Sequence, residues 1–157
     1  MTHSTEHEPS RGQVIDNSIL MMTAGALVFL FSLFPWVGIN FGFGDITANA
    51  WAIGLTAWPA VLMCVAVAIG VAAPIFWAVQ LPALGQFGPN YLMALVSAIA
   101  VTWLLIRTIT FVLESSPSGG STRPGLFLTL FAAITLLVCA IRAFKDSSEI
   151  APLKRSI

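Results

Sequence analysis

Four stretches of this sequence, 19–36, 55–79, 91–113 and 125–144, are each about twenty residues long and almost free of charge. A helix rises 1.5 Å per residue, so about 20 apolar residues cross the roughly 30 Å of hydrocarbon in a bilayer. The stretches are therefore expected to form four antiparallel transmembrane helices. Composition agrees: 9% of the 157 residues are charged and 57% are hydrophobic, against about a quarter charged in an ordinary soluble domain. The expected fold class is an all-α membrane protein with a short extracytoplasmic β-hairpin. It forms one membrane domain over 1–157, with 1–16 and 145–157 as tails.

Polar and helix-breaking residues punctuate the stretches. Asp16, Asn17 and Ser18 are placed to cap the first helix, Asn90 the third, and Thr122 the fourth with Pro124 in its first turn. Pro59 and Pro74 predict a kink in the second. The first run is too long for a signal-peptide core, and the small-residue site Ala48-Asn49-Ala50 lies too far beyond it, so a retained anchor is expected. Arg11, Arg142, Lys145, Lys154 and Arg155 fall on one side of a four-span topology and Arg123 on the other. The positive-inside bias puts both termini in the cytoplasm. Trp36, Trp51 and Trp58 then mark the outer interface, and Trp77 and Tyr91 the inner one.

The balanced charge, seven basic against seven acidic residues, lacks the basic stripe of a nucleic-acid binder. Cys64 and Cys139 lie inside apolar runs and read as small buried hydrophobes. Thr23, Ser32, Thr129 and Thr135 read as hydroxyls bonded to a carbonyl one turn back. The chain has no P-loop, no His-Glu-x-x-His helix and no carboxylate within a span, and neither an enzyme nor a cofactor is expected.

Two features invite a functional reading. In the outer loop WVGINFGFGDITANAW, Val37, Ile39, Phe41 and Phe43 alternate with Gly and Asn, and Gly44-Asp45 supplies a turn before Ile46, Ala48 and Ala50. This predicts a hairpin with its apolar side down on the helix ends. Trp36, Phe41, Phe43 and Trp51 form a surface that either packs the bundle or docks a partner. The second feature is Arg107, which lies past the centre of the third stretch. Helical side chains tilt toward the N-terminus, so it leans inward and is expected to find an internal partner in Glu114 or Asp45, with Trp103 and Phe111 flanking it. It serves either as a tether for the outer loops or as a site for an anion or lipid headgroup. Ala60, Cys64, Ala68 and Ala72, and Ala94, Ala98 and Thr102, form small-residue ridges suited to helix packing within the bundle or between copies.

The segments SLFPWVG, NAWAIGLTAWPAVL, LPALG, LLIRTIT and RPGLFLTLFAAI resemble those of a group of uncharacterised small four-helix integral membrane proteins of actinobacteria. The resemblance spans most of 19–144 and implies a multi-pass protein of the cell membrane, with no activity attached. Trp36, Trp51, Arg107 and Gly125 match its most characteristic positions, and the longer loop SSPSGGSTRPG departs from it. The expected role is a non-enzymatic accessory or structural component that binds another envelope component through its outer loops. The alternative is a channel or transporter subunit in which Arg107 meets an anionic solute or lipid headgroup. Expected partners are the bilayer and another membrane or envelope protein.

Overall fold

A computed structural model describes residues 11–40, 44–79, 87–118 and 120–147, with side chains except at 11–15, 40 and 114–118. The described chain is mostly helical. Its elements are α1 (Arg11–Ser32), β1 (Val37–Asn40), β2 (Asp45–Ala48), α2 (Ala50–Ile53), α3 (Trp58–Phe76), α4 (Pro89–Ser118), β3 (Gly120–Thr122) and α5 (Pro124–Asp146). Among the described residues, α3, α5 and residues Pro89–Leu113 of α4 are long and apolar enough to cross a membrane. The apolar part of α1, Asp16–Ser32, is shorter.

α1 ends at Ser32 instead of continuing to residue 36. Pro35 disfavours helical backbone at the residue before it, and the chain leaves through tight i→i−3 bonds from Leu33 N to Leu30 O and Phe34 N to Phe31 O. At the other end the helix begins at Arg11, so Asp16, Asn17 and Ser18 lie within it and are not caps. The polar group at Asn17 has a tertiary role instead: its Nδ2 donates to Cys139 O on α5 at 3.1 Å. Asn90 likewise sits inside α4. Thr122 closes β3, and the N-cap position of α5 belongs to Arg123, with Pro124 in the first turn. Pro59 occupies the first turn of α3, where no intrahelical N–H is needed, so it gives no reason for a kink there. Pro74 is inside the last turn.

The long helices form a closed ring in which α1 packs on α3 and α5, and α4 packs on the same two. The core is built mainly of small side chains, Ala24 and Val28 on α1, Ala60, Val61, Cys64 and Val67 on α3, Ala100 on α4, and Ala132, Ala133 and Cys139 on α5, with Leu104 and Leu136 among them. Many of the large apolar residues point outward; Phe131 is 73% exposed, Phe76 69% and Ile69 56%. Exposed apolar surface on every long helix far exceeds what a water-soluble monomer carries, and small residues at the helix contacts are what packing in lipid selects. Gly25 marks the tightest approach. A Cβ there would collide with Ala68 Cβ and come within 3.3 Å of Cys64 O, so the α3 ridge of Cys64 and Ala68 receives the backbone of α1.

Hydroxyls inside the helices are satisfied locally. Thr23 donates to Ile19 O, Ser32 to Phe29 O, Thr129 to Gly125 O and Thr135 to Phe131 O, each at 2.6–3.0 Å. Cys64 and Cys139 are buried and free.

Candidate functional site: the three-stranded sheet and the Arg107 cluster

The loop after α1 forms two paired strands as the sequence alternation predicts, with Asp45 inside the second and a third strand added. β1 pairs antiparallel with β2 in the register Val37↔Ala48, Gly38↔Thr47, Ile39↔Ile46 and Asn40↔Asp45. Asp45 is thus the first residue of β2, and not part of the turn. β3, from the loop between α4 and α5, pairs with the other edge of β1, Val37 opposite Thr122 and Ile39 opposite Gly120. The sheet order is β2-β1-β3. Residues 115–123 are therefore not a plain loop, since α4 runs to Ser118 and β3 follows. Phe41 and Phe43, expected in the outer surface, lie outside the described residues.

Trp36 is the hub of this end of the molecule, and it is fully buried, not part of an outer surface. Its backbone N–H donates to Ala48 O and its carbonyl accepts from Arg123 N, both at 2.8 Å, so one residue extends the ladder toward both neighbouring strands. Its indole N–H reaches Phe31 O at 3.3 Å. Trp51 is 36% exposed and donates its indole N–H to Ser32 Oγ at 3.0 Å, with its ring edge-on to Phe29. The short helix α2 that carries it is capped by Asn49, whose side chain accepts from Ala52 N at 3.0 Å. Both tryptophans thus clamp the end of α1.

Because side chains alternate along a strand, Gly38, Asp45, Thr47 and Ser121 share one face, and Val37, Ile39, Ile46 and Ala48 the other. Arg123, just past β3, reaches across the central strand to Asp45 on β2. The crossing is open because position 38 is glycine; a Cβ there would lie 2.7 Å from Arg123 Nε. Asp45 therefore serves Arg123 and not Arg107. On the opposite face, Val37 and Ala48 are half-buried at the base, while the cross-strand pair Ile39 and Ile46 is 44% and 64% exposed. The apolar side is not laid down on the helix ends as expected, because Trp36 already fills the end of the bundle.

Arg107 finds a partner that sequence reasoning missed. Its Nη2 donates to Thr56 Oγ1 at 2.8 Å, and its Cζ lies 4.4 Å from the centre of the Phe111 ring. Trp103 does not stack on it as a shield within the bundle; it is 45% exposed and donates its indole N–H to Thr56 O at 2.9 Å. Among the described residues, Arg107 Nε is buried without a hydrogen-bond partner. Thr56 sits in the turn just before α3, so the guanidinium lies level with the N-terminal end of that helix instead of leaning toward its middle. The side chain of Glu114, the other partner expected, lies outside the described residues. Among the described residues no group of three His, Cys, Asp or Glu side chains could hold a metal ion.

No family model, curated protein or solved structure matches this chain.

Proposed function

We propose that the chain is a four-span protein of the cytoplasmic membrane with both termini inside, and that it works as a non-enzymatic accessory component whose outer sheet binds another envelope protein. The observation that carries the binding role is the Ile39–Ile46 pair, an apolar cross-strand patch held on a sheet that Trp36 and the Arg123–Asp45 pair fasten to the bundle. A fastened patch loses little conformational freedom on binding. Among the described residues β2 is also an edge strand with an unpaired side, the element to which an extended partner segment adds. The membrane reading is supported by large apolar residues facing outward around a small-residue core, and the orientation by Arg11, Arg142 and Lys145 at one end of the bundle. The kinship with actinobacterial four-helix proteins belongs to the same reading.

The test is a photo-crosslinking residue placed at Ile46 in one strain and at Phe131, on the outward face of α5, in another. Position 46 is expected to give a protein adduct of one defined mass that position 131 does not, and Ile39→Ser is expected to remove it. Identical adducts from both positions, or none from Ile46, contradict the role of the sheet.

A further inference from the structure

Arg107 is a cation on a flank of the molecule, not in its interior. Leu55, Trp103 and Ile106 around it are 72%, 45% and 55% exposed. The guanidinium commits one N–H to the Thr56 hydroxyl and rests on the Phe111 ring, and neither partner carries charge. Among the described side chains, no carboxylate meets it: Asp45 is held by Arg123, and Asp16 and Asp146 lie toward the opposite ends of their helices. A guanidinium has five N–H donors, so further donors remain at its terminal nitrogens. Thr56 Oγ1 accepts from Arg107, which leaves its own O–H to donate. The Trp103 indole holds the Thr56 carbonyl and so keeps the turn, with its hydroxyl, beside the guanidinium.

We propose that Arg107 and Thr56 form a site for the headgroup phosphate of an anionic phospholipid in the outer leaflet. The inference rests on the membrane reading above and is independent of the sheet's partner. Depth supports it. α3 has 19 residues, about 28 Å of helix, close to the thickness of the hydrocarbon layer; Arg107, level with its outer end, is at the height of headgroup phosphates. Chemistry supports it too, since a guanidinium fork with a neighbouring hydroxyl matches the oxygens of a phosphate group. Trp103, half exposed beside it, is the amphipathic ring of an interfacial position.

The test uses the full chain purified in a neutral detergent and titrated with phosphatidylglycerol or phosphatidylcholine, with retained lipid counted by native mass spectrometry. One phosphatidylglycerol is expected to be held in preference to phosphatidylcholine. Losing a charged hydrogen-bond partner should weaken that retention about tenfold in Arg107→Gln, and Thr56→Val should weaken it to a smaller extent. Lys145→Gln, at the other end of α5, should leave it unchanged. Thr56→Val provides the reading if Arg107→Gln does not fold. Equal retention by the unaltered chain and both variants, as when Glu114 already neutralises Arg107, overturns the proposal. Release of the lipid by millimolar inorganic phosphate also overturns it, in favour of a soluble anion. Failure of the membrane reading itself is separately visible: the protein would then leave membranes in alkaline carbonate.

Discussion

Gly25, Trp36 and Thr56 each show how one side chain, or its lack, decides a contact between segments distant in sequence. At Gly25 the obstacle to a larger residue is the Ala68 methyl. Gly25→Ala is expected to lower stability by about 1–3 kcal/mol through overpacking, read as thermal unfolding in detergent, and Ala68→Gly in the same chain should restore most of the loss. At Trp36, full burial at the joint of α1, β1 and α5 makes Trp36→Ala expensive, about 3–5 kcal/mol. Trp36→Phe should cost less, losing mainly the indole bond to Phe31 O. The sequence marks Trp36 and Arg107 as unusual because a large ring and a charge stand out in an apolar chain. It does not mark Thr56, an ordinary turn threonine. Its pairing with Arg107 follows from antiparallel counting: α3 takes 19 residues from Trp58 to Phe76, and Pro89 to Arg107 is again 19. With the ends expected from composition, 79 and 91, that match is lost.

At the level of elements, the apolar helices were legible because twenty residues without charge leave few alternatives, whereas their ends were not. Capping residues are recognised by type, and here Asn17 and Thr122 were drawn into tertiary and sheet bonding. β1 and β2 could be read from alternation. β3 could not, because Gly120-Ser121-Thr122 has no alternation of its own and is a strand only through its pairing with β1. The sheet should depend on the Arg123–Asp45 bridge more than the bundle does. Asp45→Asn removes a pair whose side chains are 33% and 43% exposed, so overall stability should change by less than about 1 kcal/mol. Hydrogen exchange should nevertheless quicken at the amides of β2 while those of α3 stay protected. Equal quickening in both would show that sheet and bundle open as one unit.

For the whole molecule, a core made mostly of small residues and an exterior rich in large apolar ones form one pattern around the ring α1, α3, α4 and α5. The sequence carried this pattern in its ridges and its lack of charge, and the structure adds that α1 seals against Cys64 and Ala68. The central claim is that this ring crosses a membrane four times and holds the sheet outside, with the chain ends within. Cys64 and Cys139 are at most 1% exposed and should not react in the folded protein, so single introduced thiols report cleanly. In intact cells a membrane-impermeant maleimide is expected to label Ile46→Cys at once and Ser147→Cys only after permeabilisation. Immediate labelling of Ser147→Cys, or protection of Ile46→Cys until the membrane is opened, would contradict it.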